Sequence, residues 1–260
     1  MVTTATDEDV VAAARIAEAF DPLLRQVDRW RDDLQDEFAA LAAAGAEPTA
    51  ALLDPFVADR SLPSLEEPGG LMTGAGFVAA PGILSDAPWH LAWWLRVISA
   101  GDPAEPSRTR RLETVDDPAS DRFRDYRQLE WWRVPERTRE RHLTGPYVDY
   151  LCTDDYTVTV TTPVLQEGRM IGVVGADVHV SRLERVLLPV LRALTGTATI
   201  VNGSGRVIAS ADAHRATGVL LRAPEIQDAL TAVREGRAPL GGGVRATACG
   251  GTSLVLVREA

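Results

Sequence analysis

Residues 156–178 carry two strand patterns joined by one short turn, which restricts the chain to folds that contain an antiparallel sheet. Tyr156–Val164 alternates Thr and Val with period two, the mark of an extended strand. Met170–Val178 runs almost unbroken through Ile, Val, Gly and Ala, as a strand buried on both faces does. Gln166-Glu167-Gly168-Arg169 between them predicts a hairpin turn. A second hairpin is expected where Asn202-Gly203-Ser204-Gly205 separates Thr197–Val201 from Arg206–Ser210. A helix over Pro224–Glu235 and strands over Gly243–Cys249 and Ser253–Val257 complete a β-β-α-β-β unit.

Upstream, apolar residues recur in steps of three and four at Val10, Ala14, Ala17, Phe20, Leu24, Val27, Trp30, Leu34, Phe38 and Leu41, so a long helix with one apolar face is expected. Asp21-Pro22 predicts either two consecutive helices or one bent helix, and Gly45 its end. The seam suits packing within the chain, or pairing with a second copy in a homodimer. Residues 46–70 hold four prolines and two glycines and read as a loop with one helical turn at Ala50–Val57. Short strands are expected over Gly76–Leu84 and Ala92–Ile98, a loop or lid over 101–120, and a charged helix over Arg122–Arg133. Ser181 with Glu184 reads as a capping box opening a helix that runs to Gly196. The expected class is α+β, with a helical segment at 1–45, a larger module at 46–190 and a smaller one at 191–260.

Composition narrows the chemistry. All 27 basic residues of the 260-residue chain are Arg, which excludes lysine Schiff bases, Walker A loops and lysine bases. With 37 acids the net charge is −10, a surface that repels nucleic-acid backbones and anionic lipid. Cys152 and Cys249 have neither CxxC nor zinc spacing and read as free thiols. His90, His142, His179 and His214 lack metal-ligand spacing, so no metal or cofactor is expected. Without a basic region followed by a long apolar run in residues 1–20, or any bilayer-length apolar stretch, a cytoplasmic protein with no membrane partner is expected.

The order Trp131-Trp132, then Pro146-Tyr147-Val148-Asp149, then Gly172-Val173-Val174-Gly175-Ala176-Asp177, behind a long N-terminal helix, resembles the double Cache sensor domains. The resemblance covers most of the chain, and it implies two PAS-like modules. The larger, membrane-distal module of such domains binds amino acids, amines, organic acids or nucleobases, and the domains usually stand between two transmembrane helices. Neither helix is evident here, which implies a free-standing version. In the amino-acid-binding group, an arginine two residues before the first aromatic, an aromatic pair, a tyrosine and a closing aspartate surround the ligand. The resemblance therefore assigns Trp131, Trp132, Tyr147, Asp149 and Asp177 to the site. Leu129 stands where the arginine would, so Arg127 or Arg133 becomes the candidate cation.

Two acids in apolar or aromatic surroundings need hydrogen bonds, a partner or a cationic ligand if they turn inward. An ammonium over indole or phenol rings gains about 0.5–2 kcal/mol more. Adjacent tryptophans point in different directions, so one belongs to the core and one is available to ligand. Asp149 suits a strand-end cap equally well, whereas Asp177, inside an apolar strand, reads as buried for a purpose. The leading expectation is a non-catalytic sensor of a small amine or amino acid that signals to a regulatory protein partner. The alternative is an enzyme on a PAS-like scaffold using Asp149 and Asp177 as acid and base.

Overall fold

The computed structural model describes residues 5–97, 108–148, 156–237 and 243–259. Helix α1 spans Asp7–Ala43 without a break, with Pro22 inside it. An interior proline costs about 3 kcal/mol. Buried side chains on both sides of it, among them Ile16, Phe20, Leu23, Val27, Trp30, Leu34 and Phe38, each contribute on the order of 1.5–3 kcal/mol, so one continuous helix wins. Gly45 closes it at φ 63°, with Ala46 N donating to Leu41 O at 2.9 Å and Gly45 N to Ala42 O at 3.1 Å, a Schellman end.

The expected loop at 46–70 is mostly a helix, α2 (Ala50–Glu66), despite Pro55 and Pro63. Thr49 caps it by accepting from Leu52 N, and the Asp86 carboxylate accepts from Ala50 N at 2.7 Å. Leu53, Val57, Ser61 and Leu65 are buried along one face. Their four-residue spacing overrides the two prolines, because burial of a whole helix face outweighs two local breakers.

Six strands form the larger sheet: β1 (Met72–Ala79), β2 (Leu91–Val97), β3 (Arg108–Arg111), β4 (His142–Val148), β5 (Tyr156–Gln166) and β6 (Arg169–His179), in the order β3-β2-β1-β6-β5-β4. The β5–β6 turn places Glu167 at φ 51° and Gly168 at φ 77°, the positive pair a two-residue hairpin needs. Two strands were not expected. β3 is an edge strand of Arg and Thr held by pairing with β2 from Trp94↔Arg111 to Val97↔Arg108, and β4 contains Gly145-Pro146, both strand-weak residues. The charged helix also falls later than expected. A 3₁₀ turn at Tyr126–Gln128, capped by Asp125, precedes α3 (Glu130–Thr138).

The smaller sheet has strands β7 (Thr197–Asn202), β8 (Val207–Ser210), β9 (Val244–Ala248) and β10 (Leu254–Glu259), ordered β8-β7-β10-β9. Helix α5 (Pro224–Arg234) buries Ile226, Ala229 and Leu230 in one cluster with Val201, Val207, Val244, Val255 and Val257. Helix α4 (Val180–Arg192) starts one residue before Ser181, and its N-cap, His179, makes no side-chain cap bond. The capping box does not form, and the Glu184 carboxylate instead accepts from Thr217 Oγ1 at 3.1 Å.

The chain divides into two compact units, one of residues 1–22, 145–158 and 179–260, the other of residues 23–144 and 159–178. α4 thus groups with the smaller sheet, whereas the modules expected from the sequence divide within α4, near residue 190. Within the first unit a buried charge cluster ties the start of α1 to the smaller sheet. Asp9 is fully buried and Arg258 is 1% exposed; Arg258 Nη1 donates to Asp9 Oδ1 at 2.9 Å and Arg245 Nε to Asp9 Oδ2 at 2.7 Å. Among the described residues, no helix is long and apolar enough to cross a membrane.

Candidate functional site

Strand register separates the two faces of the larger sheet within its unit. Across β1–β6, Gly74 lies opposite Asp177 and Gly76 opposite Gly175; across β1–β2, Gly74 lies opposite Leu95 and Gly76 opposite Trp93. Residues directly opposite share a face, so Gly74, Gly76, Gly175, Asp177, Trp93 and Leu95 occupy one face. Ala75, Phe77, Val174 and Ala176 occupy the other. That other face meets α1, where the Phe38 and Phe77 rings lie 6.0 Å apart.

Asp177 is 6% exposed, so its carboxylate is defined by its neighbours. Thr159 Oγ1 donates to Asp177 Oδ1 at 2.6 Å, and Thr73 Oγ1 donates to the Asp177 carbonyl at 3.1 Å. Gly74 is required beneath it. A Cβ there would stand 2.6 Å from Asp177 Oδ2 and 2.9 Å from Trp93 Nε1, both closer than real Cβ contacts. Gly74→Ala is therefore expected to cost about 1–3 kcal/mol of stability, the usual penalty of overpacking, measured by chemical denaturation; an unchanged midpoint would mean that the carboxylate does not sit over Gly74. Gly76 and Gly175 are also forced by close approach, since a Cβ would lie 2.0 Å from Ala92 O and 2.4 Å from Val160 O respectively.

Thr161 lies two residues from Thr159 on β5, on the same face and about 7 Å along the strand. Its hydroxyl donates to the Trp131 carbonyl at 2.7 Å. One strand face thereby anchors both the start of α3 and the Asp177 carboxylate. Trp132 is 1% exposed and belongs to the core, while Trp131 is half-buried. They meet edge to face at 6.4 Å, and Trp131 stacks on Tyr126 at 6.1 Å. The Tyr126 hydroxyl donates to Ala79 O at 2.6 Å, and burial pushes its ionisation far above the usual phenol range, so it remains a donor. Trp89 extends the aromatic group, with Tyr126 at 5.1 Å and Phe123 at 4.8 Å.

Of the residues singled out in the sequence, Trp131, Trp132 and Asp177 share this unit and this neighbourhood. Arg127 is exposed, paired with the Asp125 carboxylate through Nε at 2.9 Å and Nη2 at 2.8 Å, and held over Trp89 at 4.8 Å. Arg133 is exposed on α3. Tyr147 is half-buried on β4 and belongs to the other unit. Asp149 and Cys152 lie outside the described residues. Thr159, Gly74 and Trp93 were missed, because the Thr alternation of 157–162 and the Gly74-x-Gly76 spacing mark extended segments without showing that the three meet at Asp177. Among the described residues, no group of three or more His, Cys, Asp or Glu is placed to hold a metal ion.

Residues 109–185 match the model of the methyl-accepting chemotaxis protein-like, first PDC sensor domain. The whole chain resembles several solved ligand-binding domains at low identity. The Pseudomonas fluorescens chemoreceptor CtaA domain, solved with L-valine, is 16% identical with a TM-score of 0.56, over 98% of this chain and 94% of that one. The Pseudomonas aeruginosa PAO1 amino acid chemoreceptor PctB domain, solved with L-Arg, is 14% identical with a TM-score of 0.52, over 97% and 92%. The Campylobacter jejuni chemoreceptor Tlp3 sensory domain, solved with isoleucine, is 12% identical with a TM-score of 0.53, over 97% and 89%. A long N-terminal helix leading into two antiparallel sheets is the arrangement shared with these domains, and the fold of this chain is that of the PDC/Cache-like ligand-binding domains.

Proposed function

We propose that the chain is a non-catalytic sensor that binds a small amino acid or amine on the Asp177 face of its larger sheet and signals to a partner. The observation that carries this reading is Asp177 itself, a nearly buried carboxylate (6% exposed) bonded by the same face of β5 that anchors Trp131. A desolvated carboxylate beside an indole favours a cation over an anion. The resemblance to domains solved with L-valine, L-Arg and isoleucine supports an amino acid as the cation's carrier. Tyr147 and Asp149 are proposed as ligand-binding residues on the resemblance of the Pro146-Tyr147-Val148-Asp149 stretch alone, independently of the Asp177 face. Arg127 would have to leave Asp125 to serve a ligand carboxylate, so its role in the proposal is secondary.

A thermal-shift panel of amino acids, amines and organic acids tests the reading. A ligand at 100 times its dissociation constant stabilises by about 2.7 kcal/mol, and the expected pattern is stabilisation by ammonium-bearing compounds with none from simple organic acids. Stabilisation confined to the organic acids would overturn it.

A homodimer is part of the proposal. The apolar seam from Phe20 to Phe38 is buried within the chain, so the support lies at the start of α1, where Val10 is 53% and Val11 60% exposed. Sedimentation velocity is expected to show a concentration-dependent dimer; a monomer at high concentration removes this part alone.

A further inference from the structure

We propose that Thr159 is a positioning residue that restricts the Asp177 site to cations bearing N–H groups, so that a primary ammonium is taken and its quaternary counterpart refused. The inference rests on the ammonium reading above and deepens it. A carboxylate offers about four acceptor positions, and the Thr159 hydroxyl takes one of them on Oδ1 at 2.6 Å. On the other oxygen, Oδ2 and Trp93 Nε1 come within 2.6 Å and 2.9 Å of the point where a Gly74 side chain would begin. The carboxylate is thus held at one oxygen by a hydroxyl, and its other oxygen lies over the open glycine floor, near the Trp93 indole edge. The Thr159 bond fixes its orientation before any ligand arrives.

A group held in this way rewards directional donors. An N⁺–H brings nitrogen to about 2.7–2.9 Å from a carboxylate oxygen, whereas a trimethylated nitrogen keeps its charge behind methyl groups and gains only the weaker, non-directional attraction. The neighbouring Thr161 Oγ1, on the same face, is engaged with the Trp131 carbonyl at 2.7 Å. Thr159 is 3% exposed and Asp177 6%, so water does not readily replace the lost donor. Threonine also suits the task better than serine, since its branched Cβ restricts χ1.

The test uses the full chain and calorimetric titration with every primary-ammonium member of the panel that stabilises the parent, each paired with its N,N,N-trimethyl counterpart. The parent is expected to prefer the primary form by at least about tenfold. Thr159→Val, near in shape but without the hydroxyl, is expected to lose about tenfold or more in affinity for the primary form and most of its selectivity. Thr159→Ser is expected to retain both within a few-fold, and it keeps the test decisive should the valine variant fold poorly. Equal binding of the two forms by the parent, or loss in Thr159→Ser as deep as in Thr159→Val, would overturn the positioning role and leave the sensor reading standing. If no primary ammonium stabilises the parent, the sensor reading fails and this inference fails with it.

Discussion

Asp177→Ala is expected to abolish ligand-dependent stabilisation while leaving the chain folded. The acid is 6% exposed on β6 and accepts from Thr159 Oγ1 at 2.6 Å. Truncating it removes that hydrogen bond, which contributes about 0.5–3 kcal/mol, and also removes the desolvation cost of a buried carboxylate, which has the opposite sign. Stability without ligand should therefore change little. Binding should change a great deal, because removing one member of a desolvated, hydrogen-bonded charge pair costs about 2–5 kcal/mol, well over tenfold in affinity. The check is a thermal-shift titration of parent and variant with the same amine or amino acid. Equal stabilisation of both would make Asp177 a structural acid and return a carboxylate-first site, with Arg127 or Arg133 as its cation, to consideration.

The largest effect on stability is expected from Asp9→Ala. Asp9 is fully buried and accepts from Arg258 Nη1 at 2.9 Å, Arg245 Nε at 2.7 Å and Thr6 N at 3.0 Å; its own amide donates to Thr6 Oγ1 at 3.3 Å, a reciprocal cap on α1. Alanine removes the nearer carboxylate of Arg258, 1% exposed, and leaves it only Glu8 Oε2 at 3.6 Å from Nη2; breaking a buried pair in this way costs about 3–5 kcal/mol. For a chain of this size that is on the order of 10 °C in Tm. Burial pushes the Asp9 carboxyl up, and the hydrogen bonds from the Thr6 backbone and from Arg245 overcome it, so the net position is below the ordinary carboxylate value. A depressed folded-state value means a contribution that is fully present above about pH 4 and lost as pH falls through the folded value. The stability gap between parent and Asp9→Ala should accordingly be constant near neutrality and shrink below about pH 4. Denaturation midpoints across pH measure it, and a gap under 1 kcal/mol at pH 7 would mean that the cluster is effectively solvated.

Legibility in the sequence followed the strength of the local pattern. The β5–β6 and β7–β8 hairpins and α5 were readable because alternation, turn residues and a proline at the first helical position all agree at one place. α2 was not, because Pro55 and Pro63 are local signals outvoted by a buried stripe that only packing reveals. β3 and β4 were missed for a related reason: Arg108–Arg111 is extended through its partner β2, and partners are invisible to a window of neighbouring residues. The resemblance singles out Trp131, Trp132 and Asp177 for the proposed site, and the division of the tryptophans into one core and one half-buried ring follows from helix geometry. Thr159, Gly74 and Trp93 come from β5, β1 and β2 and converge on Asp177 only through strand register, which no spacing along the chain encodes.

The central claim, that Asp177 on the larger sheet is the counter-charge of an ammonium ligand, is tested most directly by calorimetric titration of the parent with the amino acid that stabilises it best, its α-hydroxy acid analogue and its decarboxylated amine. Replacing the ammonium by a hydroxyl is expected to abolish measurable binding, a loss of about 2–5 kcal/mol or more, while the amine retains a substantial part of the affinity. A hydroxy acid that binds as tightly as the amino acid, with the amine silent, would contradict it.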